Sequence, residues 1–194
     1  MTTHALRTVG TSDLRIPTFA AITRRLDSSV EDIVMGFGSH LDPTIAANRA
    51  ISEMNQFMPA VLGRNPDGST AYHFGDEDVL RWWRTETIAK QNYLRPNAAL
   101  SSTTAVTYAS WRDRPILDQI GECCSRIRLA SSDIYVLDQT RPDIGLPVVK
   151  VIAPGMRHFW ARFGPGRLYD VPVRLGWLDK PIAESELNPI AMFV

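Results

Sequence analysis

GFGSHLDPTIAANRAISEMNQFMP, residues 36–59, decides how the rest of the chain is read, because it joins a glycine hinge to a capped amphipathic helix. Asp42 suits the N-cap, where its carboxylate accepts from free backbone N–H groups, and Pro43 suits the first helical position, which needs no N–H. Pro59 closes the segment. At about 100° per residue, Ala47, Ala50, Ile51, Met54 and Met58 form one apolar stripe while Arg49, Glu53 and Gln56 gather on the opposite face. One side is expected to pack and the other to present polar groups. The plain reading of that polar side is a solvated surface. Arg49 precedes Glu53 by four, the less favourable order for a helix ion pair, which is worth only about 0.2–0.5 kcal/mol even in the better order. A carboxylate and an amide oxygen one turn apart also suit a hard cation such as Mg2+, which takes oxygen ligands and is usually shared with substrate phosphates. Gly36-Phe37-Gly38 is not a dinucleotide fingerprint, since Leu41 stands where its third glycine would be. The Asp42 charge would moreover compete with a phosphate for the same N–H groups.

Working outward, residues 14–24 and 31–38 read as two short strands with LDSSV as the turn between them. Residues 63–78, GRNPDGSTAYHFGDED, are rich in turn formers and read as an exposed, mobile loop. DVLRWWRTETIAKQNYL follows as a helix with Trp82 and Trp83 partly buried, and RPNAALSSTTAVTYASWRD as irregular chain. Residues 115–129 place Ile116, Ile120, Cys123, Cys124 and Ile127 at helical spacing behind a favourable proline. SDIYVLD and LPVVKVIA are two short β-rich runs separated by a turn. Together these elements give an α+β fold, a mixed sheet with helices packed on it. The opening strands are expected to pair near the strands of 133–153, since neither short pair is stable alone in water. Lys150 interrupts the last strand on the face shared by Val148 and Ile152. It reads either as a snorkelling edge-strand lysine or as a cation aimed into a phosphate cleft.

Composition narrows the function. The 194 residues carry 21 Lys plus Arg and 21 Asp plus Glu, so no basic field favours nucleic acid or an anionic membrane. Arg157, Arg162 and Arg167 alternate with aromatics, but Gly and Pro break that segment too densely for a single-strand-binding platform. No apolar run approaches the roughly 20 residues of a bilayer span, and MTTHALRTVG lacks a signal-peptide core. Cys123 and Cys124 are adjacent, which suits neither a disulfide framework nor a zinc site, and the four histidines lack metal-ligand spacing. The apolar tail at 187–194 is expected to be docked.

GFGSHLDPTIAANRAISEMNQF, VLDQTRPDIGLPVVKVIAPGMRHFWARFGPGRLYDVP and the closing ELNPIAMFV, taken in order, resemble the C-terminal half of YcaO-domain proteins. They are similar in particular to the cyclodehydratases that make thiazolines and oxazolines in ribosomally made peptides, including bacteriocins. The resemblance implies an ATP- and Mg2+-dependent enzyme of the cytoplasm. In it a Cys, Ser or Thr of a precursor peptide attacks the preceding carbonyl, the oxygen of the adduct is phosphorylated, and phosphate leaves to give the ring. It implies that Glu53 binds metal with Gln56 as its companion, and that Arg49, Gln56 and Lys150 face the nucleotide; it assigns no catalytic residue. The partners it implies are the precursor peptide, a leader-peptide-binding protein and a homodimer mate. Relatives also carry a first nucleotide motif, S-x-x-E-x-x-E-R, and nothing before Gly36 resembles it. Residues 1–194 therefore read as the C-terminal portion of a YcaO domain, an incomplete domain expected to be inactive until an N-terminal half joins it. The alternative is a catalytically inactive scaffold that binds a peptide or partner. Ala191 stands where a second tail proline is expected, which leaves the tail without its usual rigidity.

Overall fold

The computed structural model describes residues 2–8, 13–95, 111–130, 132–157 and 165–187, and in it Gly36 and Gly38 lie within the second of the two expected strands. Strand β3 (Val34–Ser39) pairs antiparallel with β2 (Thr18–Arg25), which pairs antiparallel with β1 (Thr2–Thr8), so the sheet order is β1-β2-β3. Phe19 lies opposite Gly38 and Ala21 opposite Gly36. The partner that stabilises β2 and β3 is thus residues 2–8, a strand the sequence reading left unassigned. The expected pairing with the strands of 133–153 does not occur, because those strands form a separate sheet of their own.

Helix α1 (Pro43–Phe57) packs on β2 and β3. Its start follows the cap reading: Asp42 Oδ1 accepts from the N–H groups of Thr44 at 2.9 Å and Ile45 at 3.1 Å. Pro59 opens a second short helix, α2 (Pro59–Leu62). Helix α3 (Glu77–Thr85) is capped by Asp76 and buries Trp82 and Trp83 completely, further than the partial burial expected. Trp82 can be buried because its indole N–H donates to the Ile33 carbonyl at 3.0 Å. A 3-10 turn (Asn92–Leu94) brings Leu94 to the same core, which runs through Ala20–Ile22, Ile33–Met35, Ala50, Met54 and the two tryptophans.

These elements make one compact unit, holding described residues 2–8, 16–95 and 111–112; residues 13–15, 113–130, 132–157 and 165–187 make another. The second unit contains α4 (Ile116–Leu129), the antiparallel pair β4 (Tyr135–Asp138) and β5 (Val149–Ile152), α5 (Arg167–Arg174) and a 3-10 turn (Glu184–Glu186). Polar contacts tie it together. Asp13 takes ion pairs from both Arg167 and Arg174, Arg126 pairs with Glu122 at 2.7 Å, and Ser132 accepts from the Gly155 N–H at 3.1 Å. The helix expected at 115–129 is present, but none of its residues is buried. Of the arginines set among aromatics, Arg162 lies outside the described residues, as do residues 188–194 of the expected docked tail.

Candidate functional site

The site begins with two missing side chains. A Cβ on Gly36 would lie 2.1 Å from the Met54 nitrogen and 2.5 Å from the Ala50 carbonyl oxygen, and one on Gly38 would lie 2.1 Å from the Ala46 carbonyl oxygen. Only glycine lets the β3 backbone approach the α1 backbone this closely. The helix meets the strand with its small residues, so Ala46, Ala50 and Met54 are buried while Ile51, placed in the packing stripe by periodicity, is 39 % exposed. The packed face is therefore rotated toward Glu53, which is half-buried beside β3 instead of standing opposite the packing stripe.

That rotation gives Glu53 a partner. β3 is an edge strand, and the Phe37 N–H donates to the Glu53 carboxylate. Arg49, one turn earlier and exposed, donates from its guanidinium to the Ser39 carbonyl at 3.1 Å. Gln56 is exposed on the same side of the helix. Arg49, Glu53 and Gln56 thus stand in a row along α1 beside the glycine strand. Lys150 belongs to the other unit: it lies exposed in β5, opposite Leu137. The structure brings the three α1 residues together on one helix face.

Mg2+ takes close to octahedral oxygen coordination. Glu53 and Gln56 offer a carboxylate and one amide oxygen, and Oε2 of the carboxylate already accepts from Phe37. Among the described residues no three His, Cys, Asp or Glu side chains converge as a metal cluster. The donor chemistry is right for a hard cation, but this pair does not close a magnesium shell.

A buried acid that the sequence patterns do not mark lies just before β3. Asp32, held at φ 45°, is 2 % exposed and accepts from the Tyr72 hydroxyl at 2.7 Å and from the Thr70 hydroxyl, with the Arg25 guanidinium 3.6 Å away. Burial first, and then the Asp32 carboxylate, push the Tyr72 phenol well above its ordinary pKa. Tyr72 also stacks on Trp83 at 5.8 Å, and the Arg84 guanidinium lies over its ring at 5.2 Å. Most of 63–78 is exposed, yet Thr70 is buried in this network, which pins the segment to the sheet. The one sequence signal for it was the turn before β3; its partners lie 38 and 40 positions away in the chain.

A family model described as YcaO cyclodehydratase, ATP- and Mg2+-binding, matches residues 5–157. A heterocyclase solved in complex with substrate and cofactor is 43 % identical and superposes with a TM-score of 0.85, over 98 % of this chain and 24 % of its own. The heterocyclase TruD is 40 % identical at a TM-score of 0.85, over 100 % of this chain and 25 % of its own. An uncharacterised protein of Methanothermobacter thermautotrophicus is 29 % identical over 165 residues, 77 % of this chain and 38 % of that protein. The chain spans about a quarter of the length of the heterocyclases it matches. With the family model covering most of its residues on this mixed α/β fold, the chain belongs to the YcaO family.

Proposed function

We propose that the chain supplies the C-terminal portion of an ATP-dependent YcaO cyclodehydratase, which converts Cys, Ser or Thr of a ribosomal precursor peptide to thiazoline or oxazoline. The observation that carries this reading is the row Arg49, Glu53 and Gln56 on α1, its placement fixed by backbone contact at Gly36 and Gly38. Chemistry of this kind is mostly positioning and neutralisation of charge. In this reading the Glu53 and Gln56 oxygens give one edge of a metal site, and Arg49 and Lys150 give cations toward a nucleotide. The remaining oxygens come from the polypeptide bearing the glutamate-rich motif that residues 1–35 lack. A leader-peptide-binding protein and a second copy of the enzyme are further partners, and the cytoplasm is the proposed setting.

The test is ring formation, followed as loss of water from the peptide by mass spectrometry, with the chain reconstituted beside a polypeptide carrying the missing motif. Glu53→Gln is expected to abolish ring formation without altering the thermal melt. Equal activity of wild type and a folded Glu53→Gln variant would remove the nucleotide role from α1. The bond between the Phe37 N–H and Glu53 favours the second reading, in which α1 is only a rigid part of an inactive scaffold that binds a peptide or partner protein.

A further inference from the structure

Arg49 and Glu53 are held by main-chain groups of β3, and the register of that strand shows which ones. The His40 N–H donates to the Pro17 carbonyl at 3.2 Å, a rung in the same register that sets Gly38 opposite Phe19 and Gly36 opposite Ala21. Hydrogen-bonded pairs alternate along an antiparallel ladder, so the N–H and C=O groups of Phe37 and Ser39 turn away from β2. The Glu53 carboxylate accepts from the first of these residues, and Arg49 donates to the carbonyl of the second at 3.1 Å. Arg49 therefore depends on the last residue of the strand, where ladders fray first. Ser39 has a fastener of its own. Gly36 and Gly38 face α1, so Ser39, one residue on, turns its side chain to the opposite face of the sheet, where its cross-strand partner Thr18 stands. Their hydroxyl oxygens are 2.6 Å apart, and Thr18 Oγ1 also donates to the Ile16 carbonyl at 3.2 Å. A hydroxyl has one proton to give, so Ser39 is the donor within the pair.

We infer that Thr18 and Ser39 are positioning residues for Arg49: their hydroxyl pair fixes the end of β3, and the Ser39 carbonyl so fixed seats the guanidinium in line with Glu53. This rests on the function proposed above, of which it names the support of one nucleotide contact. Arg49 is exposed, and a long exposed side chain without a fixed acceptor spreads over many rotamers. Binding must then order it, which weakens binding. A carbonyl that holds the side chain beforehand removes part of that cost, and the carbonyl is only as steady as the residue that bears it.

Side-chain NMR of the full chain, labelled in arginine, reads the seat directly. Rotation of the Arg49 guanidinium about its Nε–Cζ bond is expected to be slow in wild type and about fivefold faster in Thr18→Val and in Ser39→Ala, the effect of one lost hydrogen bond. Thr18→Ser and Ser39→Thr keep the hydroxyl and should restore the slow rotation. Valine fills the space of threonine, and Ser39 is exposed, so both deletions are compatible with the fold, which a thermal melt of each variant checks. In the reconstituted pair that tests ring formation, Thr18→Val is expected to raise the KM for ATP about fivefold with kcat unchanged, as for loss of binding common to ground and transition states. Unchanged Arg49 rotation in both deletion variants overturns the inference whatever the KM does, and a lowered melt with unchanged rotation would mean that the hydroxyl pair only strengthens the strand end. Faster rotation with an unmoved KM would support the seat and remove Arg49 from the nucleotide. Absence of ring formation in the wild-type pair would count against the function, and the arginine measurement on the free chain would still decide the seat.

Discussion

At the scale of single residues, Glu53 joins helix to strand through one acceptor, and its variants separate that role from any other. Glu53→Ala leaves the Phe37 amide without its acceptor and is expected to cost about 1 kcal/mol, the lower end for a partly buried donor. Glu53→Gln keeps an oxygen there and should melt within about 0.5 kcal/mol of wild type. A melt in which both variants fall equally would mean that the charge, not the acceptor, matters. Asp42 gives a pH signature. Burial alone would raise its pKa, but the N–H groups of Ile45 and Thr44, with the Arg112 guanidinium 3.5 Å away, outweigh burial and hold it below the ordinary carboxylate range. A carboxyl depressed in the folded state adds stability that is fully present above its unfolded value, about 3.9, and is lost as pH falls through the folded value. Asn caps about as well without titrating. The stability difference between wild type and Asp42→Asn, measured by denaturant melts, should therefore be constant above about pH 5 and shrink in more acid buffer. The cap was legible in the sequence because it depends on neighbours two and three positions away. The acceptor role of Glu53 was not, since it depends on a strand 16 positions earlier.

At the scale of elements, the bounds of α1 followed from Asp42, Pro43 and Pro59, whereas its orientation did not follow from periodicity. Hydrophobicity favoured Ile51 as a core residue, but the glycines of β3 admit a helix backbone, and the face that fits such a backbone is the one carrying Ala46 and Ala50. Gly38→Ala pushes carbon against a carbonyl, and neither backbone can yield without moving the whole element. The cost should reach about 3 kcal/mol or more, at the top of the overpacking range. Gly68→Ala meets nothing within 4 Å and bears only the strain of φ +82°, about 1 kcal/mol. Equal melts for the two alanine variants would contradict the close approach. The hairpin of β4 and β5 was legible from its β-rich runs, but its solitude was not. The second neighbour of β2 is residues 2–8, which the sequence patterns do not mark as a strand.

At the scale of the whole molecule, the two units differ in what holds them. The first has a core around Trp82 and Trp83; among the described residues the second buries Tyr169 and Val171 and relies on pairs such as Asp13 with Arg167 and Arg174. Native-state amide exchange of the free chain should be slow in β2 and β3 and fast in β4 and β5. Uniform protection across both would show that the β4–β5 pair is covered in solution. The purified chain is expected to show no Mg2+-dependent ATP turnover, because Glu53 and Gln56 do not close a metal shell. Turnover that is lost in Glu53→Ala would show that further ligands lie within these 194 residues. The sequence made the family legible through three motifs, but not the geometry of its residues, since Lys150 and α1 fall in different units. The seam at Gly36 and Gly38 also bears on how such a protein can be re-engineered. Every base change that alters a glycine codon's meaning adds at least one carbon or ends translation, so the angle at which α1 presents Arg49 and Gln56 is closed to gradual mutation. A new ligand preference must then be found by exchanging side chains along a fixed rail, and a library spread over Asn48, Arg49, Ser52 and Gln56 will hold more folded members than one that includes the strand.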